Sequence, residues 1–513
     1  MRPNTKPVLP AALCGVFLVA LLGGCVPARE GPANPQIVKS TPVAFWSYSD
    51  NPVGAMSPDG KHLLLVESSS ETQKLVAMPL GAGETKDIVL YSVDARWTQD
   101  NSLDYIPLGW LSPGQCLFVS TGWQSQGPNK DKRGAAILAG DVGKASVEEV
   151  AFIPLPEGLL HNVRYVAGTG KVYLEVSRAV WIIDAKTGAA KQVKGDLPVY
   201  DGMFVAHLSP DASTWVYQLH DVGGRHGIYT LDAASGAEKP LVPNGDTMSF
   251  YPAWSPDGKY MALYVVARRP GTTDTTWNNY GVYPGEDGPL SVGTSIAIVD
   301  RSGNPVKTIA VDGKVLAYFK WAWDSKSIAF VAGTKPASTP DTTQDWVIPQ
   351  VSWDGVWTCT VQDKGEPPAK LADINPAVMG SADFAMPLSY DAESRGVFFQ
   401  IGGPNTSSVW YAARGKTPVQ TTVGQAAKVA DGSWQSIIAV PVYGDSIAAI
   451  IGAWQDGPTG LYLLSSKVFR KVGEWNSASS SILGYNAQIL VTQEGAGVGK
   501  YTITVRAMYS EKQ

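Results

Sequence analysis

One tetrapeptide constrains this chain more than any other feature. Ser57-Pro58-Asp59-Gly60 runs into the apolar stretch His62-Leu63-Leu64-Leu65-Val66, and Ser255-Pro256-Asp257-Gly258 runs into Tyr260-Met261-Ala262-Leu263-Tyr264. Ser209-Pro210-Asp211-Ala212, Trp323-Asp324-Ser325-Lys326 and Ser112-Pro113-Gly114 stand before similar runs. Proline presets the first central position of a type I turn, serine bonds back to the backbone, and glycine accepts the exit geometry. A turn of this kind joins two antiparallel strands. It recurs along the chain.

Each unit continues with a second signature. Ile228-Tyr229-Thr230-Leu231-Asp232 leads into Ala233-Ala234-Ser235-Gly236, Ile296-Ala297-Ile298-Val299-Asp300 into Arg301-Ser302-Gly303, and Trp181-Ile182-Ile183-Asp184 into Ala185-Lys186-Thr187-Gly188. A further run follows, such as Val306-Lys307-Thr308-Ile309. One unit therefore reads strand, tight turn, strand, variable loop, strand, Asp-x-x-Gly turn, strand. That is a four-stranded antiparallel blade. The plentiful Gly (53), Pro (36), Trp (17) and Tyr (21), with no long helical stripes, agree with an all-β chain. Tandem β-sandwiches are the competing architecture, but they rarely repeat one turn at near-constant spacing.

These residues resemble the blades of TolB-type propellers, also called WD40-like or PD40 repeats. Trp254 to Tyr264 fits their pattern best. The resemblance implies a single all-β propeller over residues 43–513 and is specific for fold, weak for function. It also implies work through protein contacts. No obvious separate domain of the kind TolB has is expected ahead of the repeats, which argues against a Tol-system role. Nine units can be counted, beginning near residues 54, 108, 163, 203, 251, 318, 384, 436 and 482. Propellers ordinarily have four to eight blades, so the expected count is eight, within a range of seven to nine. The run Val43-Ala44-Phe45-Trp46-Ser47-Tyr48 is expected to supply the outer strand that the last unit lacks.

The start of the chain reads as an address. Arg2 and Lys6 precede an apolar stretch, Ala11 to Leu22, too short to span a bilayer. Leu22-Gly23-Gly24-Cys25 resembles the lipobox of bacterial lipoproteins. The resemblance implies a signal peptide over 1–24, lipidation of Cys25, a flexible tether over 25–42, and a membrane-anchored protein facing the periplasm or cell exterior. An ordinary signal peptide with an incidental cysteine is the alternative. Cys116 and Cys359 are expected to remain as free buried thiols on separate blades.

Composition excludes more than it names. The formal charge is −5, only 17% of residues are charged, and no basic run occurs, so nucleic acid is not an expected partner. There is no CxxC pair, no Gly-x-Ser-x-Gly elbow and no phosphate-cradling loop before a helix, so no cofactor is expected. His220, Asp221 and His226 could hold a metal, but solvated loop residues are the simpler account.

Function is expected on the loops between second and third strands, opposite the Ser-Pro-Asp-Gly turns. These loops grow at 122–133, 268–293, 334–354 and 453–460. Their aromatics, Trp123, Trp277, Tyr280, Tyr283, Trp346, Trp353 and Trp454, are the binding candidates. The alternative is that they pin long loops to the blades. The leading expectation is a monomeric, non-catalytic module for a protein, peptide or glycan of the cell envelope. A glycan hydrolase or lyase at the channel mouth is the second.

Overall fold

The computed structural model describes the backbone over residues 36–43, 46–48, 55–81, 86–100, 104–155, 160–176, 179–195, 197, 207–222, 225–267, 284–285, 288–289, 293–334, 351–363, 365–375, 384–391, 393–403, 406–420, 435–443, 446–453, 460–464, 469–474, 481–485, 489–497 and 500–507.

The turns fold as their chemistry requires. Ser255 Oγ donates to Asp257 Oδ1 (2.8 Å) and accepts the Tyr260 N–H (3.0 Å), while the Gly258 N–H bonds to the Ser255 carbonyl oxygen (2.8 Å). The fourth turn position is left-handed whatever occupies it: φ is 70° at Gly60, 67° at Gly258, 58° at Ala212, 62° at Ser325 and 59° at Ser394. Glycine takes that conformation without penalty, and the other residues adopt it against their preference.

Among the described residues these turns organise nine four-stranded antiparallel sheets. Blades 1 to 8 occupy residues 46–94, 104–154, 160–194, 207–243, 247–309, 315–373, 384–420 and 435–474. Blade 9 takes its first three strands from 481–507 and its outer strand from Gln36–Val43, paired antiparallel to Lys500–Ala507. The repeat count of nine holds, one more than the expected eight. The closing strand is not the run 43–48. It begins at Gln36, inside the segment read as tether, while Trp46–Tyr48 opens blade 1. Pairing satisfies the exposed edge of Lys500–Ala507, the residues that most need a partner.

Successive sheets pack face to face. In blade 1, Leu64 and Val66 face blade 2, while Leu63 and Leu65 face Leu483, Val491 and Ile503 of blade 9. The ring is thereby closed, and the structure is a β-propeller. Alternate side chains leave opposite faces of a strand, and here both faces are buried. That is why the second strands read as unbroken apolar runs. Each fully buried Leu or Val contributes about 2 kcal/mol of transfer free energy. The first strands of neighbouring blades approach one another, as between blades 2 and 3, 6 and 7, or 9 and 1, and so surround the axis. Cys116 and Cys359 are free and buried in blades 2 and 6. Burial pushes the Cys116 thiol up to about 12.

Candidate binding site on the channel wall of blades 5 and 6

The first strands of blades 5 and 6, Thr247–Trp254 and Val315–Trp321, share a distortion. Each bulges against its second strand, between Phe250 and Ala253 in one and between Ala317 and Lys320 in the other. At each bulge sits a tyrosine with positive φ, Tyr251 at 59° and Tyr318 at 52°. A non-glycine residue there stores strain on the order of 1 kcal/mol or more, and such strain persists only where the surroundings fix it.

The surroundings can be named. Gln218 of blade 4 reaches the first bulge, accepting the Tyr251 N–H at Oε1 (3.3 Å) and donating from Nε2 to the Ser249 carbonyl oxygen (3.4 Å). At the second bulge, Tyr264 Oη of blade 5 accepts the Phe319 N–H (3.0 Å). Gln218 and Tyr264 occupy the same place in their blades, the fifth residue of the second strand. In each case a polar tip, partly buried at Gln218 and buried at Tyr264, caps the bulge of the next blade.

The bulges push their tyrosines into the open. Tyr251 is 46% exposed and Tyr318 36%, while Tyr264 between them is buried. The Tyr264 ring lies 4.6 Å from Phe319 and 6.3 Å from Tyr251. Burial, and then the nearby phenols of Tyr318 and Tyr251, hold its hydroxyl above the ordinary tyrosine range, so it stays protonated. Lys320, two residues past Tyr318, is also exposed. Protein around its ammonium partly desolvates it and lowers its pKa, as expected for a cation on a concave wall.

The two longest loops are rooted here. Gly293, where the loop after Tyr260–Ala267 returns, makes a two-bond bridge to Leu316 of blade 6 (2.9 and 2.8 Å). A Cβ at Gly293 would lie 2.9 Å from the Ser295 carbonyl oxygen and 3.1 Å from that of Val265, so glycine lets the loop return close against its own blade. Lys314 donates to Thr334 Oγ1 (2.8 Å) and pairs with Asp354, joining both ends of the loop between Ser327–Thr334 and Ser352–Thr360. Both loops join second to third strands, as the repeat required, and so emerge opposite the Ser-Pro-Asp-Gly turns.

Of the aromatic candidates, Trp123 ends its strand at the root of the 124–132 hairpin and is 44% exposed. Trp353 is not on a loop. It is the second residue of Ser352–Thr360, 7% exposed, packed in the seam between blades 6 and 7 with its ring 6.0 Å from Tyr318. It pins the strand rather than meeting a ligand, because one face of that strand must fill the seam. Trp277, Tyr280, Tyr283, Trp346, Trp454 and Cys25 lie outside the described residues. So do the side chains of His220, Asp221 and His226. Among the described residues no group of three or more His, Cys, Asp or Glu is placed to hold a metal.

The sequence reading passed over Tyr251, Tyr318 and Lys320. A signal was present: Tyr251 and Tyr318 each stand three residues before the repeat tryptophan, Trp254 and Trp321. The nine first strands also contain a single acidic residue, Asp104, and two strong bases, Arg164 and Lys320. Asp104, Arg164 and Lys320 are all exposed. Desolvation by burial raises the Asp104 pKa.

No family model and no curated protein matches the chain. Solved structures similar to it include dipeptidyl peptidase 4 of Porphyromonas gingivalis, at 10% identity and TM-score 0.48. That match covers 90% of this chain but only 65% of the peptidase, under two thirds of its length. An oligogalacturonate lyase of Vibrio parahaemolyticus matches at 12% identity, covering 75% of this chain and 96% of the lyase with TM-score 0.35. TolB of Acinetobacter baumannii matches at 13% identity, covering 68% and 75% with TM-score 0.27.

Proposed function

We propose that this chain is a non-catalytic binding module of the cell envelope, tethered through lipid on Cys25, with its ligand contact on the channel wall and loop face of blades 5 and 6. The observation that carries the reading is the pair of half-exposed tyrosines. Each is held in a strained bulge by a polar group of the preceding blade, the partly buried Gln218 or the buried Tyr264, beside the roots of the two longest loops. Binding sites are commonly loops and rigid aromatics positioned by a scaffold. Strain of this kind concentrates at functional positions. The partner is a protein, peptide or glycan of the envelope.

The enzyme reading needs paired carboxylates, one acid and one base, converging on the channel. Among the described residues Asp104 is the one acid in the nine first strands, so the described strands bring no such pair together. Binding is therefore the reading the channel wall supports better.

The test removes residues 268–292 while keeping the Gly293 bridge. Loop length enters closure entropy only logarithmically, and the flanking strands pair through their own ladder. The melting temperature should hold within about 3 °C, while capture of envelope partners by the acylated protein, read by mass spectrometry, should fall. Full capture by the folded variant would move the site elsewhere. Loss of folding would make the loop a structural part of blade 5. Separately, Cys25→Ala should abolish acyl labelling and leave uncleaved precursor; unchanged acylation would end the anchor reading.

A further inference from the structure

We infer that the channel wall from blade 3 to blade 6 binds an acidic polysaccharide, its sugar rings lying on Tyr251 and Tyr318 and its carboxylates drawn to Lys320 and Arg164. This rests on the binding reading above and names the chemistry of its ligand.

Three observations converge. First, Tyr251 and Tyr318 are the same residue of successive repeats, each three before its tryptophan and each at a bulge. They repeat one flat, amphipathic platform from blade to blade. A ligand that gains from a repeated platform is itself repetitive. Second, charge on the first strands is one-sided. The chain as a whole has more acids (46) than Lys and Arg (41), yet the described first-strand residues from blade 3 to blade 6 expose Arg164 and Lys320, well inside their strands, and no acid; the exposed Asp246 and Asp312 lie ahead of the strands of blades 5 and 6, at the rim. The nearest first-strand acid in sequence, Asp104, belongs to blade 2. Below that rim the charges are of one sign, and a concave wall of one sign with low-dielectric sides concentrates ligands of the opposite sign. Third, the other exposed side chains on these strands, Asn162, Thr247 and the two phenols, are neutral groups that donate and accept hydrogen bonds. That mixture suits rings bearing hydroxyls beside carboxylates.

An acidic peptide supplies charge without a rigid ring to match the platforms. Single-stranded nucleic acid supplies rings and charge. Its affinity, however, comes from neutralising many phosphates, and two cations on a chain of net charge −5 cannot do that.

The experiment is calorimetric titration of the full chain in detergent micelles with four probes of similar length: alginate, dextran, poly-glutamate and oligo-deoxythymidine. Alginate should bind, dextran at least tenfold more weakly, and the other two not measurably. Arg164→Gln with Lys320→Gln should lower alginate affinity about tenfold and flatten its salt dependence, leaving the melting temperature unchanged, since both side chains are exposed. Tyr318→Gly, which suits the backbone at that position, should lower affinity for alginate and dextran alike. Equal binding of dextran and alginate would overturn the charge assignment while leaving a glycan-binding module. Preference for poly-glutamate or oligo-deoxythymidine would overturn the glycan itself. If no probe binds but the loop-deleted protein still loses its envelope partners, this inference fails and the binding reading stands.

Discussion

On the turn face, neighbouring blades are tied by specific polar bonds; on the loop face of blades 5 and 6, the bonds instead hold two tyrosines out of the packing. Arg301, in the third-to-fourth turn of blade 5, donates to Ser213 Oγ (2.9 Å), pairs with Asp211 of blade 4 (2.8 Å), bonds to the Gly258 carbonyl oxygen and lies over the Trp254 ring. Burial alone would raise the Asp211 carboxyl. Hydrogen bonds from Arg301, Ser209 and Ser213 outweigh it and hold the group well below the usual carboxylate range. The Asp257 N–H donates to Ser325 Oγ of blade 6 (2.9 Å), and the Asp324 N–H to Ser394 Oγ of blade 7 (3.3 Å). Indoles complete the stitching: Trp254 donates to the His207 carbonyl oxygen, Trp321 to Ala253 and Trp110 to Ala55, each reaching back one blade. The difference teaches a division of labour. One face satisfies its polar groups internally and carries the ring's cohesion. The other uses the same kind of bond to store strain and present side chains.

The sharpest way to break this contrast is Lys307. The residue is 9% exposed, and its ammonium donates to the carbonyl oxygens of Thr360, Asp363 and Glu366 in the adjoining turn of blade 6. Lys307→Met keeps the stem and leaves those acceptors without this donor. Stability should fall by about 3 kcal/mol, given ~1–3 kcal/mol for unsatisfied buried groups. Denaturant unfolding monitored by tryptophan fluorescence would read it. A loss below about 1 kcal/mol would mean the turn face is not what holds the blades together.

A second effect concerns the fifth position of the second strand, where Gln218 and Tyr264 cap bulges and blade 3 has Glu175. Burial lifts the Glu175 carboxyl to about 8, with a hydrogen bond from Trp215 opposing the rise. Its folded pKa is therefore above its unfolded value. The group takes up a proton on folding, so its contribution is fully present below about pH 4 and is lost as pH rises toward 8. Glu175→Gln carries the neutral form permanently, as blade 4 does. It should raise stability at pH 7.5 by on the order of 2 kcal/mol and flatten stability against pH between about 5 and 8. Equal slopes in variant and parent would show that the carboxyl is ionised in the folded protein.

The repeat made the blades legible because turn chemistry and apolar runs are local. The strand boundaries, the turn that joins first to second strands, and the loops that grow all follow from Ser-Pro-Asp-Gly spacing. Closure was not local. Whether Gln36–Val43 or the following run completes blade 9 depends on an edge more than 450 residues away, at Lys500–Ala507. The site was half visible for a related reason. Long loops announce themselves, so Trp353 was read as a loop residue, whereas seam packing assigns it to the strand. Tyr251 and Tyr318 looked like ordinary strand aromatics. Their exposure comes from a bulge fixed by Gln218 and Tyr264 of other blades, and the one local trace of it is their shared place three residues before the repeat tryptophan.

The smallest expected effect on stability is the most informative about the loop face. Tyr251→Gly removes a ring that is nearly half exposed and so forfeits little burial. At φ 59° it replaces a strained residue with the one that adopts this conformation freely, a gain on the order of 1 kcal/mol. Against that stands the greater freedom of glycine in the unfolded chain, of similar size. The Tyr251 N–H remains to donate to Gln218, so the cap survives. The terms nearly cancel, and the variant should unfold within about 0.5 kcal/mol of the parent while binding its ligand more weakly. Gln218→Ala is the complementary change. It leaves the ring but removes its cap, and should cost about 1 kcal/mol and broaden the tyrosine's orientation. Were Tyr251→Gly to destabilise by 2 kcal/mol or more, the tyrosine would be packing the seam after all, and blades 5 and 6 would follow the logic of the turn face.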